Sequence, residues 1–284
     1  MAQSEALIRD ISDTAFLAAV YRARETERPD AVFHDPLARR LLGTRGEQIA
    51  DSIPFSNRAA WAWVMRTYLY DQFIVEQCRK GTDMVINLAA GLDTRPYRME
   101  LPPTLQWIEV DLPGILSYKE EILAQEKPAC IIERVRLDLA DVSARRKVFA
   151  ELGSRATKCL ILTEGLLIYF SADQVRALAE DLDAPRAFQS WIVDLASPGL
   201  LRMLQKHMGP ALEQSGASLK FGPEEGPEFF IPSGWRPVDV RSPLKAAARL
   251  KRLSFEMWLM SLLPESNGHQ GSRPWSGVCL LSRL

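Results

Sequence analysis

Apolar positions along the chain fall into short blocks and longer spaced runs. Met84-Val85-Ile86-Asn87-Leu88 is a nearly continuous block that stops at Ala89, Ala90 and Gly91, and then at the charges of Asp93 and Arg95. Such a block predicts a strand buried on both faces, as in a parallel sheet. The small residues after it let the backbone approach a ligand beyond the carboxyl end of the strand. Similar blocks at 105–111, 130–139, 158–164 and 189–196 predict four more strands, and 235–240 and 277–281 predict the last two.

Between them lie runs with helical spacing. Residues 12–24 bring Ala15, Phe16, Ala18, Ala19 and Ala23 together, with Ser12 or Asp13 as the cap. Asp35-Pro36 opens a second, short helix. Residues 57–80 form a long one with Trp61, Val64, Met65, Tyr68, Leu69 and Phe73 apolar, stopped by Gly81. Further helices start at Pro113, at Asp141 or Ser143, near Ser171 or Ala172, and at about Leu244, the last running to about Leu259. Strands alternating with helices indicate an α/β fold with a mostly parallel seven-stranded sheet and helices on both faces.

The expected organisation is one domain over 1–284: a helical cap (1–80), a core (81–196), a lid (197–233) and closing strands and helix (234–284). The lid is rich in Gly and Pro around a short helix carrying Leu200, Met203, Leu204 and Met208, which suits a cover over a substrate pocket. Residues 264–274, with Asn267-Gly268, read as a turn.

Composition narrows the class of partner. With 284 residues, 47% hydrophobic and 25% charged, the chain can bury a sizeable core. Its 35 basic and 36 acidic residues leave no net field for nucleic acid or an anionic membrane, so a small molecule or protein is the expected partner. Cys78, Cys130, Cys159 and Cys279 are far apart with no metal-ligand spacing, which suggests free thiols in a reducing compartment. The apolar run from Ala15 to Tyr21 is too short to span a bilayer, and a cytoplasmic protein is expected.

Three charges stand at positions that call for a partner. Arg66 has Ala62, Trp63, Leu69 and Tyr70 as helical neighbours, so its guanidinium starts from an apolar face and calls for an anionic partner. That partner is a ligand or an internal carboxylate, unless the head reaches solvent. Asp111 ends the second strand twenty residues after Gly91, a spacing that suits acceptance from ribose hydroxyls, or else the cap of the next helix. Glu164 ends the fourth strand at the same crevice, either facing a ligand or solvated.

The loop Asn87-Leu88-Ala89-Ala90-Gly91-Leu92-Asp93-Thr94-Arg95, followed by Tyr97-Arg98-Met99, resembles the leucine carboxyl methyltransferase-like family of S-adenosylmethionine-dependent methyltransferases. Its bacterial members are often linked to O-methylation in polyketide-type pathways. Further similarity lies in Arg22-Ala23-Arg24-Glu25-Thr26, Phe33-His34-Asp35-Pro36-Leu37-Ala38, Glu109-Val110-Asp111-Leu112-Pro113 and Glu164-Gly165-Leu166-Leu167-Ile168-Tyr169-Phe170, so it runs from about Thr14 to Asp194. The chain departs at Ala89, where many relatives carry Gly.

The resemblance implies a Rossmann-like class I methyltransferase fold and S-adenosyl-L-methionine as cofactor. It implies that Arg66, with Arg22 as a second contact, binds the methionine carboxylate. The loop at Ala89 and Gly91 would approach the cofactor and Asp111 would hold the ribose. Asp138 and Leu139 would meet the adenine, although an isolated Asp before a helix also suits a turn. Glu164 would take the ammonium or lie near the sulfonium. Tyr169 and Asp194, following the fourth strand and closing the fifth, are the acceptor-side candidates.

Methyl transfer is an in-line displacement that needs alignment and neither metal nor covalent intermediate. A carboxylate acceptor needs no base, whereas an alcohol does; His34, His207 and His269 lie in the cap, the lid and a late turn. The expected function is O-methylation of a carboxylate or hydroxyl on a small molecule, or of an exposed protein carboxylate. Rival readings are a binding protein that kept the fold and lost catalysis, and a nicotinamide-dependent oxidoreductase. The latter is disfavoured because the loop lacks the G-x-G-x-x-G spacing that admits a pyrophosphate.

Overall fold

All five residues of β1 (Met84–Leu88) are buried, and side chains alternate between the two sides of the sheet. Ile86 and Leu88 join Phe149, Val175, Trp191 and Trp235 in one core. Val85 joins Met65, Leu69, Phe73 and Ala246 in another. The computed structural model describes residues 11–53, 55, 59–213, 217–264 and 273–284.

Flanking β1 are β2 (Gln106–Asp111) and β4 (Cys159–Thr163), both parallel to it. Beyond β2 lies β3 (Ile131–Arg136), and beyond β4 lies β5 (Phe188–Ala196). The antiparallel β7 (Ser276–Arg283) pairs with β5, and β6 (Trp235–Arg241) closes the far edge. The order is therefore β3-β2-β1-β4-β5-β7-β6. Succession reverses between β1 and β4, and such a switch point opens a crevice at the carboxyl ends of the strands.

Among the described residues, α1 (Thr14–Thr26), α2 (Ala38–Ser52) and α3 (Ala60–Arg79) precede the sheet. α1 and α2 share a core with residues of α5 (Pro113–Ile122) and α8 (Pro198–Glu213). The short α4 (Arg95–Arg98) follows the β1 loop, α6 (Val142–Arg155) and α7 (Ala172–Asp183) cover the first core, and α9 (Pro243–Arg249) and α10 (Phe255–Ser261) precede β7.

Boundaries shift in places for local reasons. α3 begins at Ala60; Asn57 lies outside the described residues, as do Asn267, Gly268 and His269. Asp141 caps α6 through the Ala144 amide, and Ser171 forms a capping box with Gln174 on α7. Asp13 precedes α1 without a capping hydrogen bond and pairs with Arg45 at 2.6 Å. The helix expected over 244–259 is two helices: Lys251 takes a left-handed φ of 57° and Ser254 caps α10 anew. The lid helix is also longer than expected, at 16 residues.

The loop after β1 turns on two left-handed residues, Ala89 (φ 54°) and Gly91 (φ 48°). A Cβ on Gly91 would lie 2.9 Å from that of Ala15, so glycine is required there. An alanine in this region carries about 1–2 kcal/mol of strain, partly offset by the greater unfolded-state freedom of glycine. Ala89→Gly is therefore expected to raise stability by up to about 1 kcal/mol, read as a higher urea midpoint at constant slope. A lower midpoint would show that the Ala89 methyl contributes more by packing than its backbone costs.

Candidate active site

Asp111 ends β2 with its carboxylate turned back onto the loop. One oxygen accepts from the Gly91 amide at 2.6 Å and the other from the Leu112 amide at 2.7 Å. Leu112, not Asp111, is the residue at the cap of α5. Burial pushes the Asp111 carboxyl up, against the opposing pull of those two amides.

On the other side of β1, Glu164 is the first residue past β4. Its carboxylate takes Arg66 Nε at 3.1 Å and Arg95 Nη2 at 2.8 Å. Burial alone would raise this carboxyl, but the Arg95 and Arg66 guanidiniums outweigh it and hold it below the usual range. Gly165 turns left-handed beside it, where a Cβ would lie 2.9 Å from Arg66 Nη1. Arg66 reaches from α3, 4.9 Å from the Trp63 ring, and its Nη1 also meets Asp194 at 3.4 Å. Internal carboxylates thus pair with Arg66, and its head also lines the cavity described below.

Asp194 accepts from the Gly165 amide at 2.7 Å and the Tyr70 hydroxyl at 3.1 Å. Tyr169, in a 3-10 turn at Leu167–Tyr169, hydrogen-bonds the Thr14 side chain, and burial pushes its phenol up. Arg22 donates to Asp35 at 2.7 Å and to the Leu92 carbonyl at 2.6 Å.

Joined to these groups is a further set of ion pairs that sequence reasoning did not single out, of which Asp93 and Arg95 also reach the cavity described below. Arg95 is almost wholly buried and meets Asp71 at 2.6 Å and Asp93 at 2.7 Å besides Glu164. Arg98 meets Asp71 at 2.7 Å, and Thr94 donates to Asp35 at 2.6 Å. Three charged side chains directly after an apolar strand (Asp93, Arg95, Arg98) were the available signal. Their partners Asp71 and Asp35 come from the N-terminal helices and their connection.

These groups line one end of a cavity of about 1230 Å³, with Arg22, Arg66, Ala89, Gly91, Asp111, Glu164, Tyr169 and Asp194 all at its wall. Asp138 and Leu139 are not on that wall. Asp138 is exposed and accepts from the Ala140 amide at 2.9 Å, while the Leu139 carbonyl takes Arg145 at 3.0 Å. His34 and His207 are exposed, the latter stacked on Phe55 at 4.8 Å. No described helix is long and apolar enough to cross a membrane.

A family model described as leucine carboxyl methyltransferase matches residues 15–183. The chain belongs to the leucine carboxyl methyltransferase family. A relative from Parafrankia sp. (strain EAN1pec), by name a candidate S-adenosyl-L-methionine-dependent methyltransferase, is 30% identical over 271 residues, covering 87% of this chain and 84% of its own. Two crystal structures share the fold. A DUF574 family protein from Streptomyces avermitilis has a TM-score of 0.62 at 10% identity, covering 95% of this chain and 97% of that one. A candidate methyltransferase from Thermobifida fusca YX has 0.59 at 17%, covering 98% and 96%. The matched leucine carboxyl methyltransferase region contains Arg22, Arg66, the β1 loop, Asp111, Glu164 and Tyr169, and stops short of Asp194.

Proposed function

We propose that this member of the leucine carboxyl methyltransferase family is an S-adenosylmethionine-dependent O-methyltransferase acting on a carboxylate or hydroxyl of a small molecule. The observation that carries the reading is the arrangement of charge at one end of the cavity. Arg66 and Glu164 stand together at the end of β4, and Asp111 stands two strands away at the end of β2. Two strand spacings are roughly 10 Å.

A ligand with an amino-acid zwitterion at one end and a ribose at the other fits this set. Arg66 would take the carboxylate, with Arg22 as a second contact, and Glu164 the ammonium. The Ala89 to Gly91 backbone would pass beneath the ligand, and Asp111 would accept from the ribose hydroxyls. Asp138 and Leu139 stand beyond β3, next along the same rim. For the adenine role Asp138 must exchange the Ala140 amide for an exocyclic amine.

S-adenosylmethionine supplies a methyl group on a sulfonium, and the protein aligns the acceptor with it. Tyr169 and Asp194 would border the acceptor. The phenol of Tyr169, kept protonated by burial, can donate a hydrogen bond to an acceptor oxygen.

Asp111→Ala removes a charged acceptor for two hydroxyls, each such bond contributing about 1.5–3 kcal/mol. Calorimetry should show S-adenosylmethionine affinity falling at least about tenfold while circular dichroism stays that of the parent. Unchanged affinity would remove the ribose role from Asp111. Transfer itself is read with labelled S-adenosylmethionine and a panel of hydroxyl and carboxylate acceptors; label on carbon or nitrogen only would overturn the O-methyl assignment.

A further inference from the structure

The cavity is larger than the roughly 300–1,000 Å³ that holds one drug-sized ligand, and its wall beyond the charged strand ends is mostly apolar, with Lys245 and Arg273 among the exceptions. On α8, Leu200, Met203, Leu204, Met208 and Leu212 all line it, one stripe at helical spacing. From Leu200 to Leu212 the stripe runs about 18 Å. It starts shortly after Ala196, the last residue of β5, the strand that carries Asp194. Met257, Met260 and Leu263 on and after α10 add further apolar wall. Phe255, Trp258 and Leu259 on the same short helix are exposed, so apolar surface continues from the wall to the outside. Methionine side chains adapt to chains of variable shape.

The acids near the charged end are already engaged. Glu164 is held by two arginines, and Asp194 by an amide, a hydroxyl and Arg66. Among the described residues of the wall the acids named are engaged and no histidine stands beside them, a setting that suits an ionised carboxylate, which needs no base, better than an alcohol, which does.

We propose that the acceptor is a straight-chain carboxylate, its head beside Tyr169 and its alkyl chain along the α8 stripe. This rests on the methyltransferase reading. A carboxylate oxygen bonds to the methyl carbon as the carbon–sulfur bond breaks with its electron pair to sulfur, leaving a methyl ester and a neutral thioether, with no proton to place.

The test uses straight-chain alkanoates from hexanoate to hexadecanoate and the matching alkanols. Binding is read by displacement of the fluorescent fatty acid cis-parinarate, and ester formation by mass spectrometry with S-adenosylmethionine. Affinity should rise roughly fourfold per added methylene until the stripe is full, with methyl esters as products. Met208→Trp should move that limit to shorter chains, with circular dichroism checking that the variant keeps the parent fold. Affinity independent of chain length, alkanols methylated in preference to alkanoates, or an unmoved limit in Met208→Trp would each overturn the proposal. S-adenosylmethionine is titrated alone alongside: binding with a flat alkanoate response defeats only this inference, and no binding defeats the reading beneath it.

Discussion

Arg95→Ala should lose about 3–5 kcal/mol of folding stability, because it strands buried carboxylates that share one guanidinium. Arg95 meets Asp71, Asp93 and Glu164, and its side chain is 3% exposed. After truncation Asp71 retains Arg98 and Glu164 retains Arg66, but Asp93 keeps only the Asn87 amide and the backbone amide of residue 95. Against a typical total of about 5–15 kcal/mol the loss is large. Urea unfolding measures it, and a change within about 1 kcal/mol would mean that the carboxylates find other partners. Arg95→Lys should recover only part, since one ammonium cannot reproduce the fork.

The acid dependence of this effect has a definite sign. Burial raises the Asp93 and Glu164 carboxyls and the arginines lower them further than burial lifts them. Groups lowered in the folded state contribute stability above the ordinary carboxylate range and lose it as pH falls through their folded pKa. The gap between the parent protein and Arg95→Ala should therefore narrow below about pH 4.

The second large effect falls on ligand binding. Arg66→Ala should weaken S-adenosylmethionine about 100-fold, roughly 2.7 kcal/mol, the scale for truncating one side of a buried charge pair. Its stability cost should be smaller than that of Arg95→Ala, because Glu164 keeps Arg95 and Asp194 keeps Tyr70 and the Gly165 amide. Destabilisation with unchanged affinity would make Arg66 a counter-ion for its own protein and nothing more.

Arg66 and Arg95 also show how far a sequence reveals such a site. Arg66 was legible because a lone cation on an apolar helical face has to find an anion. The β1 block and its small-residue loop were legible because burial on both faces leaves a continuous apolar run. Arg95 sits in a loop dense with charge, and its importance comes from Asp71, 24 residues earlier in α3, meeting it in space. Local spacing carries no trace of that meeting.

The same limit applies to the edges of elements. The break at Lys251 depends on a backbone angle that no apolar periodicity reports. The position of Asp138 depends on β3 ending at Arg136, so that its carboxylate serves its own turn. The long α8 was underestimated because the segment reads as rich in Gly and Pro, although its apolar stripe continues through Met208 to Leu212.

The measurement that bears most directly on the account is calorimetric titration of the full chain with S-adenosylmethionine, with NADH titrated in parallel. The charge arrangement at Arg66, Glu164 and Asp111 predicts one binding site for S-adenosylmethionine, weakened in Arg66→Ala and Asp111→Ala, and no heat with NADH. Absence of S-adenosylmethionine binding to the folded parent protein, confirmed by a label-free assay, would contradict it.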